Sequence, residues 1–165
     1  MKLSELMSGV VVDPAFEGVV TNDDNVLAVG IGDETDTVAD YVVVQNAIEG
    51  VDSALNPTTS NKTYIRAGLS TTKTGEQRSF SVTGDRFIGD AFQDYVFSLP
   101  IMYGRGAAVV VPYVWFSLKN GKGEKGTVSI IANSDGSGAA GETAGIDIGL
   151  NKFGSTPELF TWPVS

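Results

Sequence analysis

Twenty aspartates and glutamates stand in this sequence beside no histidine and no cysteine, so carboxylates are the groups most able to do acid–base chemistry. Histidine is the usual general base near neutral pH and the commonest metal ligand, and its absence removes every Ser-His-Asp or Cys-His arrangement. Without thiols there are no disulfides, thiolate nucleophiles or cysteine-held metals. Two acids about 5–9.5 Å apart in a cleft can still hydrolyse a glycoside. That keeps a carboxylate-dependent glycoside hydrolase open, because the separation of two acids in a cleft is not written in sequence spacing.

Two other patterns resemble sites and fail on context. Gly121, Gly123 and Gly126 spell G-x-G-x-x-G, but a dinucleotide fingerprint needs a helix directly after the loop to meet the pyrophosphate. Here the β-branched run TVSII follows, so the glycines read as a hairpin connection and no cofactor is expected. The stretch NSDGSGAAGE at 133–142 offers oxygens and glycines, yet its spacing departs from the calcium-loop template and reads as a turn. No metal is expected.

Charge is strongly segregated. Residues 1–60 hold eleven acids against Lys2 alone, a net of −10, whereas residues 61–165 sum to +1. An acidic surface repels phosphates, the reverse of a nucleic-acid footprint. By itself the acidity reads as a soluble surface.

A length of 165 residues, 42% apolar and 19% charged, suits one globular domain over 1–165 with a real core. No apolar run approaches the ~18 residues of a membrane span, and MKLSELMSGV lacks a signal-peptide core. Synthesis in a cytosol is the expectation.

The elements that would position any site are mostly strands. VLAVGI at 26–31 and the continuous apolar run 41–44 read as strands, the second with helix as an open alternative. Residues 52–63, polar and broken by Asn56-Pro57, read as a flexible loop. AAVVVPYVWFSL at 107–118 is the longest strand signal, and Pro112 within it implies an edge or a bulge. GIDIGLNKF alternates, with Ile146, Ile148 and Leu150 on one face. Phe160 and Trp162 near the end of the chain either close the core or dock on a neighbour.

The clearest local signal is RSFSVTGDRFIGDAFQDYVFSL at 78–99. Phe80 and Val82 alternate with polar residues as in a half-buried strand. Asp90 then caps a helix whose stripe is Phe92, Tyr95, Val96 and Leu99, with Asp90, Gln93 and Asp94 facing outward and Pro100 ending it. These signals combine into a mainly β protein, an antiparallel β-sandwich or partly rolled barrel with one flanking α-helix.

The run SVTGDRFIGDAFQDYVF resembles the strand-turn-helix signature of the major tail tube proteins of long-tailed bacteriophages. VVPYVWFSLKNGKGEKGTVSIIAN and PELFTWPVS extend the likeness across 66–165. It implies a virion structural protein and no enzyme, a homo-oligomer forming rings, hexameric by expectation, that stack into a tube and conduct DNA into the host. The tube would be built in the host cytoplasm and carried in the virion tail. Implied partners are a tape measure protein and tail terminator or distal tail proteins, with DNA passing through unbound.

On this resemblance Gly84 allows a sharp turn, Asp85 and Arg86 pair with neighbours, and Asp90, Phe92, Asp94 and Tyr95 belong to the packing motif. Asn56, Pro57, Asn61 and Lys62 would sit on a loop reaching the next ring. Some of Asp33, Glu34, Asp36, Asp40 and Glu49 would line the channel and keep DNA from sticking. A β-sandwich capsid-decoration or adhesion module remains the alternative reading of the same composition.

Overall fold

The computed structural model describes residues 1–32 and 37–163. Its helices are short: α1 (Leu3–Met7), α2 (Ala91–Val96) and α3 (Leu99–Met102). Strands dominate, namely β1 (Asn25–Val29), β2 (Val42–Val43), β3 (Ile48–Ala54), β4 (Thr58–Tyr64), β5 (Gly68–Gly75), β6 (Ser79–Asp85), β7 (Val110–Ser117), β8 (Lys122–Ser134), β9 (Gly145–Lys152) and β10 (Glu158–Thr161). Every pairing is antiparallel. The main sheet runs β2-β1-β7-β8-β9-β6-β3, with β10 on the first half of β8, and β4-β5 form a separate hairpin.

Continuous apolar runs mark the strands covered on both faces. In β1, Leu27 and Val29 join a core with Phe80, Phe92, Val96, Tyr113, Ile148 and Leu150. Val26 and Ala28, on the opposite face, pack with Leu3, Met7, Val114, Phe116 and Phe160 under α1 and β10. Burying each large side chain contributes roughly 1.5–3 kcal/mol. Phe160 stacks on Phe116 at 5.2 Å between ring centroids, so the terminal aromatics close the second core.

Pro112 lies neither at an edge nor in a bulge, since β7 is flanked by β1 and β8 in unbroken register. Its carbonyl accepts from Gly30 N–H at 2.9 Å, just past the end of β1. The nitrogen of the same residue points to that side too, where the ladder has already ended, so the missing donor costs nothing. The glycine-rich segment is the hairpin connection between β7 and β8 that the sequence implies, with less of it in the loop and more in the strand. The turn closes by Gly121, and β8 begins at Lys122.

Residues 52–63 are no structureless loop. They hold the end of β3, a link at Asn56-Pro57 and most of β4, and they continue into β5 through a turn at 65–67 with Gly68 at φ 72°. Sequence periodicity missed β4 because none of its residues is buried. Alternation marks a strand only when one face is covered.

The 78–99 segment also departs from expectation. Gln93 and Asp90 are buried rather than outward, and Leu99 is 67% exposed instead of completing the stripe. Pro100 does not stop the chain's helical course but enters the first turn of α3, which Ser98 precedes. Proline is tolerated there because first-turn amides have no helical acceptor.

Candidate assembly surfaces

The strand-turn-helix segment is held by one buried polar network centred on Gln93. Its Nε2 donates to the carbonyls of Asn46 at 3.1 Å and Asp85 at 3.0 Å, and its Oε1 accepts from Phe87 N–H at 2.8 Å. Asp90 caps α2 by accepting from Gln93 N–H at 3.1 Å and also accepts from Asn46 Nδ2 at 2.8 Å. Asp85 N–H donates to the Ala47 carbonyl at 2.8 Å. The β2–β3 link, the end of β6 and α2 are thereby locked together.

The spacing Asp90-x-x-Gln93 fits a capping box, a signal that could have flagged the glutamine. Here the side chain reaches Phe87 instead of the cap's own amide. Gly84 serves close approach rather than a turn: it lies inside β6, and a Cβ there would collide with the Ala47 carbonyl. Arg86 is engaged within the chain, with Asp94 at 3.0 Å and the Phe97 ring at 5.1 Å. Asp94 also accepts from Gly89 N–H at 3.0 Å. Phe92 is core and Tyr95 half-buried against it.

Asn56, at φ 47°, donates to Gln77 carbonyl and Ser79 Oγ, anchoring the hairpin's base beside exposed Pro57. Asn61 accepts from Thr71 across the hairpin at 2.7 Å, and Lys62 is exposed. Of the acids singled out, Asp40 pairs with Lys2 at 3.2 Å and Glu49 is exposed on β3. Asp33, Glu34 and Asp36 lie outside the described residues.

Three surfaces are left uncovered by the described residues. The first is the outer face of β3-β6-β9-β8. Cross-strand register places Asp52 by Ser81 and Gly149, and Thr83 by Asp147, with Asp85 opposite Gly145 and Ile131 opposite Gly149. Over β3, β6 and β9 this face is small and polar and carries the acids Asp52, Asp85 and Asp147, while alternation along β8 from Ile131 puts exposed Lys125 on the same side of the sheet. The second is the free edge of β3. Val51 carbonyl accepts from Asn22 Nδ2 at 3.2 Å, so the main-chain groups of Val51 point away from β6. The opposite edge is covered instead: Val43 N–H donates to Met1 carbonyl and Leu3 N–H to Tyr41 carbonyl. The third is the β4-β5 hairpin. A two-stranded ribbon is marginal in water on its own.

Tyr113 shows what the core tolerates. Its buried hydroxyl has no hydrogen-bond partner. Burial, then the nearby Glu124, pushes its pKa up to about 12, against a smaller opposing pull from Arg78. Because the folded value lies above the unfolded value near 10, stability present below pH 10 is lost as pH rises to about 12, by roughly 2–3 kcal/mol. Urea denaturation of Tyr113→Phe should show this alkaline slope flattened, with stability at pH 8 little changed.

No group of three or more acids that could hold a metal occurs among the described residues. No helix among them is long and apolar enough to cross a membrane.

No protein-family model and no curated protein matches the chain. Among solved structures, a chain from the tail of an empty GTA particle, refined helically with C6 symmetry, superposes with a TM-score of 0.55. The alignment covers 87% of this chain and 98% of that one at 14% identity. The fold is that of this tail chain. The likeness reaches beyond the 66–165 region on which the sequence resemblance to tail tube proteins rests.

Proposed function

We propose that this chain is a structural subunit of a phage tail tube, with copies closing into rings, six per turn, that stack into a DNA-conducting cylinder. The observation that carries the reading is the uncovered β3-β6-β9 face, polar, built of small residues and carrying the acids Asp52, Asp85 and Asp147. Facing a channel, such a surface repels sliding phosphates and offers no lysine or arginine to hold them, since tight DNA binding rests on cationic contacts to phosphates. The β3 edge, with no strand paired beyond it among the described residues, supplies main-chain groups to a neighbour, and heterologous edge contacts close by rotation into a ring. The C6 tail chain of the same fold supports this stoichiometry. The subunit makes and breaks no bonds. It works in the virion tail after assembly in the host cytoplasm, against tape measure and tail-end proteins.

Electron microscopy of the purified protein at high concentration tests this: tubes or stacked rings are expected, and a persistent monomer overturns it. Replacing residues 58–75 with a two-residue turn should abolish tubes. It should leave the melting temperature within a few degrees of the parent, because no core residue lies in the hairpin.

A further inference from the structure

Strands β1 and β3 come near each other without pairing. β1 meets β2 only at Ala28 and Val29, so Asn25, Val26 and Leu27 have no strand on that side among the described residues. Across a cavity of about 210 Å³ they face Ile48, Gly50 and Val51 of β3. Asn22 spans this seam, its Nδ2 donating to the Val51 carbonyl at 3.2 Å.

The amide is aimed by its surroundings. Asn25 Nδ2 donates to Asn22 Oδ1 at 3.3 Å, which leaves Asn22 Nδ2 turned toward β3. The turn that carries it is closed on itself, with Thr21 N–H donating to Asp24 Oδ2 at 3.0 Å and Asp24 N–H to the Thr21 carbonyl at 3.0 Å. Leu118 N–H ties the turn to the end of β7 through the Asp24 carbonyl at 2.6 Å. The first half of β3 is blunted in a second way, because its register slips between Ile48 and Gly50 and sets exposed Glu49 out of the ladder. Bulges, charges and covering loops are the means by which natural sheets keep an edge from indiscriminate pairing. The second half, Asp52, Ser53 and Ala54, is exposed.

We propose that Asn22 is a removable guard on the β3 edge, holding the Val51 carbonyl in the unassembled subunit and giving it up when a second copy arrives. A neighbouring strand can begin pairing at the exposed second half of β3, but it must displace Asn22 to reach Val51. Each edge contact therefore forms against the loss of one hydrogen bond, which raises the concentration at which copies join. The guard adds little to the subunit's own stability, since its bond is exposed and water can take over the carbonyl. This rests on the tube reading and adds to it a built-in restraint on premature assembly.

Sedimentation and electron microscopy over a concentration series of the full chain test the guard. Asn22→Ala should lower the threshold for association about fivefold, the factor that one ordinary hydrogen bond is worth, with the melting temperature of the subunit within a few degrees of the parent. Asn22→Asp, which keeps the shape but has no donor for Val51, is the second variant and should shift the threshold the same way. Tubes whose threshold is unchanged or raised in both variants overturn the guard and leave the tube reading standing. A lowered threshold for assemblies that are not tubes supports the guard and counts against the tube. If neither the parent nor the variants associate at any concentration, both readings fall.

Discussion

Gln93→Ala is expected to lower the unfolding free energy by about 3 kcal/mol, since it strands three part-buried main-chain partners at the lower end of about 1–3 kcal/mol each. The glutamine is fully buried and satisfies Phe87 N–H and the carbonyls of Asn46 and Asp85 in one place. Alanine leaves all three without partners and opens a void beside Phe92. Gln93→Glu keeps the shape but turns an acceptor toward those two carbonyls, and although Arg86 Nη1 lies 3.4 Å from Oε1 to face the added charge, it should still be destabilising because both carbonyls lose their donor. Urea titration of both variants beside wild type gives the comparison. A loss under 1 kcal/mol for alanine would mean that water replaces the amide and that the network does not hold the β2–β3 link to α2. Because that link feeds the free β3 edge, the variant should also raise the concentration needed for tubes.

Gly123→Ala is expected to cost about 3 kcal/mol or more, at the upper end of overpacking effects. A Cβ at this position would run into the Trp115 carbonyl and the Phe116 Cα across the β7-β8 ladder. Backbone atoms cannot rotate away, and Gly123 is pinned on its other side by Phe160 of β10. The strands must part, which also loosens the Phe116–Phe160 contact. Gly149→Ala is the matched control, because its Cβ would meet nothing nearer than 3.5 Å. There the loss of glycine's unfolded-state freedom should be neutral or stabilising by about 0.5–1 kcal/mol. Thermal denaturation of the pair separates close packing from a general intolerance of side chains on this sheet. Within the G-x-G-x-x-G string Gly123 thus serves close packing of β8 on β7, beyond the hairpin connection that the sequence implied.

Much of this architecture is written locally. Absence of histidine and cysteine narrows the chemistry before any fold is known. The alternation at Phe80 and Val82, and again at Ile146, Ile148 and Leu150, names core faces because a strand's side chains have period two and one face is wet. Asp90 is legible as a cap because unpaired first-turn amides need an acceptor wherever a helix starts. Acid segregation is likewise countable from the chain.

Tertiary structure alone decided the rest, each time because the determining partner is distant in sequence. Gln93 reads as a surface residue until Asn46 arrives from 47 positions away to bury it. β4 reads as a loop because nothing among the described residues covers it, and hydrophobic pattern records only burial within the subunit. Gly84 looks like a turn former, but the Ala47 carbonyl that excludes a Cβ there comes from the distant β2–β3 link. Which polar face is left open, and which edge is free, follow from strand order, a long-range property that no local pattern encodes.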